Sequence, residues 1–261
     1  MANICVAPLA TAIRRIVSPR WRPIGYLTEL TQRRCGSRVL RGPFRGLQYI
    51  GESVGSAYIP KLLGIYEREL NAVIERACSL GFHLILDIGA AEGYYAVGMA
   101  IRNPQAQVVG FEMELNGQTA LSQMAVLNGA ASRVAIRGKC EPADLTALLR
   151  NARDDRTLVI CDVEGYEDNL LNPALVPALR HVWTLVELHE FVRPGITQLL
   201  VARFESSHAI EQIWQDTRSR AEYPFRTLGT TLLPSSYLDW AVSEWRPETM
   251  SWLWMKPRHL S

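Results

Sequence analysis

From residue 83 onward the chain repeats one unit: an apolar run with the length of a strand, a polar turn, then a stretch with helical spacing. HLILDIG, QVVGFEME, RVAIRG, RTLVICDVEG and HVWTLVELHE are the runs. YYAVGMAIRN, NGQTALSQMAVLNGA, PADLTALLRNA and the shorter, proline-interrupted YEDNLLNPALVPAL lie between them. Runs apolar on successive residues suit strands buried on both faces, and helices between them supply the crossovers of a parallel sheet. A barrel of hairpins is excluded. The reading is an α/β, Rossmann-like, doubly wound sheet.

Upstream, IPKLLGIYERELNAVIERACSL (59–80) has Leu62, Leu63, Tyr66, Leu70, Val73 and Ile74 on one stripe and reads as a helix. Downstream, ITQLLVARFE reads as helix, and SSHAIEQIWQD and MSWLWMKP as strands. The polar and aromatic stretch 218–248 between those two strands has no clear period. A connection of that length is usually functional or locally disordered. Residues 1–60 precede the sheet and read as an arm or cap, with a short helix or arm over the first twenty. The sheet domain spans 61–261, and 218–248 reads as an insertion on the acceptor side.

Composition excludes some classes. Twenty-eight basic residues against 26 acidic give a formal charge of +2, too little field to imply nucleic acid. No apolar run reaches the ~20 residues of a membrane span. Five scattered cysteines without CxxC spacing form neither a disulfide framework nor a zinc site, and favour a reducing, cytoplasmic setting.

Ligands of such sheets bind beyond the carboxyl ends of the strands, and four of those ends carry polar groups. The first, D-I-G-A-A-E-G, contains Asp87, Gly89, Ala91 and Gly93, with Tyr94 opening the next helix. Gly89 and Ala91 keep bulk away from a ligand, and Gly93 lets the helix start against the strand. A dinucleotide fingerprint places pyrophosphate at such a helix start; Glu92 stands there and would repel it. A cofactor without phosphates is favoured over a turn that is merely structural. Glu112, about twenty residues on and followed by Met113, suits ribose hydroxyls. Cys140 and Glu141 lie where an adenine would sit, although Glu141 equally suits a helix cap. Asp162 with Glu164, and Glu187 with His189, are pairs two apart on strands and so face one way.

These residues together resemble the FkbM-like group of class I S-adenosylmethionine-dependent methyltransferases. The resemblance covers about residues 60–190 and rests on DIGAAEGYY, Glu112, DVEGYE at 162–167 and VELHE at 186–190. It implies a seven-stranded sheet with one antiparallel strand near the C-terminus, and methyl transfer, usually to oxygen of a small molecule or glycan. Asp87, Gly89, Ala91, Gly93, Tyr94, Glu112, Met113 and Glu141 would hold S-adenosylmethionine, with Asp162 at its methionine end. A Tyr-Glu pair ahead of the turn in that family brings in Glu67 as a further cofactor contact. His189, Glu164 and Glu187 would handle the acceptor proton, His189 because imidazole titrates near neutrality. Two alternatives stay open for this rim: a divalent cation held by Asp162, Glu164 and His189, which is not favoured, and a structural brace. DVEG stands where base N-methyltransferases carry Asn-Pro-Pro-Tyr, so no nucleic-acid partner is expected. The rival functions are a non-catalytic cofactor binder or partner-supporting protein and, behind it, an NAD-dependent dehydrogenase. Trp240 and Trp245 either line a flat acceptor's pocket or simply pack. The oligomeric state is left open.

Overall fold

The structure, a computed structural model, describes residues 22–51, 53–150 and 156–260. The helix or arm expected at the extreme N-terminus lies outside them. Seven strands form one sheet in the order β3-β2-β1-β4-β5-β7-β6: β1 (Leu84–Ile88), β2 (Gln107–Phe111), β3 (Val134–Arg137), β4 (Thr157–Cys161), β5 (Trp183–Leu188), β6 (His208–Trp214) and β7 (Ser251–Pro257). The first five pair in parallel. β7 runs antiparallel to both β5 and β6. This is the Rossmann-like sheet with one reversed strand that the sequence implied. The strand order turns back between β1 and β4, the crevice where doubly wound sheets bind ligands.

The helices are α1 (Pro23–Cys35), α2 (Tyr58–Leu63), α3 (Asn71–Leu80), α4 (Tyr94–Arg102), α5 (Leu115–Leu127), α6 (Pro142–Leu149), α7 (Glu167–Leu170), α8 (Ile196–Phe204), α9 (Leu228–Leu232) and α10 (Ser235–Val242). Two apolar clusters cover the two faces of the sheet. One holds Ile85, Val97, Val108, Leu121 and Trp252; the other holds Leu86, Val109, Leu145, Leu200 and Leu253. Neighbouring residues of each strand divide between the clusters, which is why the strands read as unbroken apolar runs.

Three expectations are corrected. The single helix over 59–80 is two, broken where Gly64 takes a left-handed conformation (φ 68) and Glu67 follows with φ 45. The apolar stripe is real, since Leu62, Tyr66, Leu70, Val73 and Ile74 share one cluster; the chain meets it by turning instead of running straight. Between β4 and β5 only the one-turn α7 and a 3-10 turn at Pro177–His181 form. Pro173 and Pro177 each remove an amide donor that a longer helix would need. The 218–248 stretch is not an unstructured loop: it carries a 3-10 turn, α9 and α10. α9 starts where Thr227 accepts the Thr230 amide at 3.1 Å. Such short, polar-capped helices leave little periodicity to read.

A third, smaller cluster joins Leu27 of α1, Leu63 of α2, Tyr223, and Leu238 and Val242 of α10. Residues before 60 also enter the main core through Val39, Phe44, Leu47 and Tyr49. The N-terminal segment and the 218–248 stretch therefore meet each other beside the carboxyl ends of the strands.

Candidate active site

Beyond those strand ends lies a cavity of about 860 Å³, in the upper part of the range ligand pockets occupy. Its backbone is strained. Among the described residues five non-glycines have positive φ, and four of them, Glu67, Ala91, Glu164 and Trp245, line the cavity. Such conformations persist where the surroundings enforce them, and they collect at functional sites.

The β1 side is built by local turn geometry. Ala91 donates its amide to Glu112 Oε2 at 2.9 Å, and Glu114 donates to Oε1 at 2.7 Å. Glu112 is thus oriented at the rim by backbone donors, with Met113 exposed beside it. Gly89 (φ 87) is required by the protein itself: a Cβ there would stand 1.7 Å from the Asp162 carbonyl oxygen. Gly93 likewise faces Leu121 of α5 at 2.3 Å, not the strand. The expectation that Gly89 keeps bulk away from a ligand is corrected; a bulkier residue there would prise β1 from β4. Tyr94 lines the cavity, its ring edge-on to Phe44 and Tyr66. Asp87 is buried with Oδ2 unpartnered, and burial, reinforced by the Asp162 charge, pushes its carboxyl up to about 7.

Glu92 does not line the cavity. It is wholly buried and receives Lys61 Nζ at 2.5 Å, Ser53 Oγ at 2.8 Å, the Val54 amide at 2.9 Å and the Tyr49 hydroxyl. It pins the segment 49–61 to the turn, so its charge is spent on Lys61 and cannot select against phosphate as expected. Glu141 does not line the cavity either. Its side chain meets Lys139 at 2.6 Å and Tyr166 at 2.8 Å, and its amide donates to Asp144 Oδ2 at 2.9 Å as a helix cap. Of the pair expected near an adenine, Cys140 alone lines the cavity.

The β4–β5 side is built by charged side chains. Adjacent strands bring Asp162, Glu187 and His189 together, with donor atoms within 4.8 Å of one another. Glu164 does not join them. The strand ends at Cys161, and Glu164 sits exposed in the next turn with φ 48, so the alternation that paired it with Asp162 has already stopped. Its place behind His189 belongs to Glu167, the last residue of the DVEGYE motif. Glu167 is fully buried and 2.6 Å from His189 Nδ1. An ionised carboxylate only accepts, so Nδ1 donates and Nε2 is left toward Asp162 Oδ1 at 3.5 Å and Glu187 Oε2 at 4.0 Å. Burial alone would lower the His189 pKa; the Glu167 bond and the Asp162 charge outweigh it and raise it. Burial, then the charges of Asp162 and Glu67, raise Glu187 well above the carboxylate range.

Arg246 answers these acids. Its Nη1 donates to Glu187 Oε1 at 2.6 Å, and its Nη2 donates to Glu67 Oε1 and, at 3.2 Å, to the Tyr66 hydroxyl. Glu67 is buried and also accepts from Tyr95 at 2.5 Å. Arg218 clamps the strap 244–247 that carries Arg246, reaching Glu69 at 2.7 Å and Glu244 at 2.5 Å. Lys61, Glu167, Glu244 and Arg246 were missed from sequence. Glu167 was within reach, inside a quoted motif; Arg246 is 59 residues from Glu187 and its neighbourhood carries no local signal.

No family model matches the chain, and no curated protein does. Among solved structures, a Klebsiella pneumoniae protein provisionally named an O-methyltransferase is 14% identical at TM-score 0.44, covering 96% of each chain. The precorrin-6Y C5,15-methyltransferase of Geobacter metallireducens is 14% identical at 0.46, over 72% of this chain and 88% of its own. The O-methyltransferase TomG of Streptomyces achromogenes, in complex with S-adenosylmethionine, is 15% identical at 0.45, over 70% and 77%. All three are methyltransferases by name, at a likeness too low to carry fold or function to this chain. The fold stands on the strand order and pairing described above.

Proposed function

We propose that the chain is an S-adenosylmethionine-dependent methyltransferase acting on a hydroxyl of a small molecule or glycan. One observation carries this reading. The cavity at the carboxyl ends of β1 and β4 is lined, among the described residues, by eight acidic side chains against three lysines and arginines, and burial raises four of the acids, Asp87, Asp162, Glu187 and Glu244, toward their neutral forms. Each of those three is already held: Lys61 by Glu92, Lys139 by Glu141, Arg246 by Glu67 and Glu187. Coulomb energy at short range in a half-buried cleft is several kcal/mol per charge pair. A pyrophosphate cofactor is disfavoured there, and a sulfonium with an ammonium group is favoured. The same excess weighs against a nucleic-acid acceptor and against the dehydrogenase reading.

The turn 87–93 and Glu112 would hold the adenosyl part, with Asp87 and Asp162 beneath its positive end. When bound, the cofactor supplies the methyl group and a sulfonium that departs as a neutral thioether. The acceptor's hydroxyl proton goes to His189 Nε2, while Glu167 fixes the ring and stabilises the imidazolium that forms. Glu187, kept in place by Arg246, flanks His189 Nε2 with its unpartnered Oε2. Glu164, on the exposed turn, remains a contact for the outer acceptor.

A second reading has its own observation. Asp162, Glu187 and His189 are a donor set for a divalent cation, and the orphaned Glu187 oxygen suits a ligand atom. Against it, the Arg246 guanidinium already carries positive charge onto Glu187. Release of S-adenosylhomocysteine from S-adenosylmethionine with a hydroxylated acceptor, in excess EDTA, separates the two. Full turnover in chelator supports His189 as the base. Loss of turnover, restored by Mn²⁺ or Mg²⁺, would assign the rim to a metal.

A further inference from the structure

The charge excess that selects a cationic cofactor also constrains the second ligand. Beside His189, the mouth of the cavity is apolar. Phe191 is 47% exposed and Val192 49%, and the Phe191 ring lies 5.8 Å edge-on from His189. Across the strap, Trp245 is 50% exposed, adjoins Arg246, and leans on Trp240 with ring centroids 4.7 Å apart at 34°. All three residues line the cavity. Trp245 is held there by a left-handed backbone (φ 55), and Val192 by the turn at Gly165, where a Cβ would meet it at 2.5 Å. Half-exposed large apolar side chains, one of them on a left-handed backbone, rimming a polar interior, fit a ligand with a flat apolar body and one polar end.

We infer that the acceptor is an uncharged planar molecule, a phenol-type ring or fused ring bearing the hydroxyl, bounded by Phe191 and Trp245 with its oxygen at His189. This rests on the methyltransferase reading. Anionic acceptors are excluded by the interior. A carboxylate or phosphate on the ring would enter a rim lined by the acids Asp162, Glu164, Glu187 and Glu244, which offers no cation to pair with it: the sole guanidinium lining the cavity among the described residues, Arg246, is bound to two acids. A sugar offers these rings only a small C–H face, so within the proposed function a fused aromatic ring suits them better than a glycan.

The test uses the full chain saturated with S-adenosylhomocysteine and two matched probes, 2-naphthol and 3-hydroxy-1-naphthoate, whose carboxylate is meta to the hydroxyl and so shares its rim. Both carry the same hydroxyl on the same ring system, and only the second has a carboxylate. Binding is followed by calorimetry. Naphthol is expected to bind at least tenfold tighter than the naphthoate. Trp245→Ala and Phe191→Ala should each weaken naphthol at least fivefold while leaving the Kd for S-adenosylhomocysteine within twofold. Equal or tighter binding of the naphthoate would overturn the proposal. So would failure of naphthol to bind a complex that does hold S-adenosylhomocysteine, or indifference to both substitutions. A protein that does not bind S-adenosylhomocysteine at all fails earlier, at the cofactor reading, and the first titration reveals it.

Discussion

The two sides of the cavity are made in different ways. On the β1–β2 side, backbone does the work: the amides of Ala91 and Glu114 orient Glu112, and Gly89 lets β1 touch β4. Apart from Asp162, which Gly89 meets, every part lies between residues 89 and 114. On the β4–β5 side, side chains from positions 67, 162, 167, 187, 189 and 246 meet through buried charge. The first arrangement survives as long as the turn folds. The second depends on each charge having its partner, because a buried ion left alone costs several kcal/mol. The cofactor side should therefore tolerate changes that destroy the acceptor side, and the reverse should fail only at Gly89.

The largest effect is expected from His189→Ala. It should lower kcat by about 10²–10⁴-fold, the usual contribution of a general base, with the Kd for S-adenosylhomocysteine unchanged. Comparable loss of cofactor affinity would erase the distinction between the two sides. Glu167→Gln sharpens it. Glu167 raises the His189 pKa, so removing its charge lowers that pKa. The acid limb of the kcat profile, where activity grows as His189 loses its proton, should move to lower pH as the maximum falls. A profile that stays put would make Glu167 a brace.

Next comes Arg246→Met, which strands Glu187 and Glu67. Breaking a buried pair costs about 3–5 kcal/mol, and denaturant midpoints should show a loss of that order at pH 8. The loss should shrink as pH falls and Glu187, whose carboxyl burial already raises, takes up a proton. A loss independent of pH would mean packing rather than charge. Glu112→Ala removes an acceptor of ribose hydrogen bonds, worth about 1.5–3 kcal/mol when charged, so S-adenosylhomocysteine should weaken some tenfold or more while kcat at saturation holds. Unchanged affinity would sink the ribose assignment.

The smallest effect concerns Asp87. Its folded pKa, about 7, lies above the ordinary 3.8, so the folded state holds the proton more tightly. The stabilisation linked to that proton is complete below pH 3.8 and is lost as pH rises to 7. Asp87→Asn should flatten that part of the ligand-free stability profile. An unaltered slope would assign it to other carboxyls.

The same contrast explains how much could be read in advance. DIGAAEG announced its turn because all its determinants are consecutive, and the strands announced themselves because both faces of the sheet are covered. Even so, the role of Glu92 was misread. Its partners Tyr49, Ser53, Val54 and Lys61 lie 31–43 residues away, and nothing local says that its charge is neutralised. Asp162, Glu187 and His189 were legible from strand periodicity, but Glu164 was not separable from Glu167, since periodicity cannot say where the strand stops. Arg246 and the 244–247 strap were invisible: an ion pair across the fold leaves no pattern in the chain.

The most direct test is a calorimetric titration of the purified protein with S-adenosylhomocysteine, with NAD as the control. Micromolar binding of the first and none of the second is the predicted result, as a cavity rich in carboxylates with every lysine and arginine committed should produce. Binding of NAD without S-adenosylhomocysteine would contradict the account at its centre.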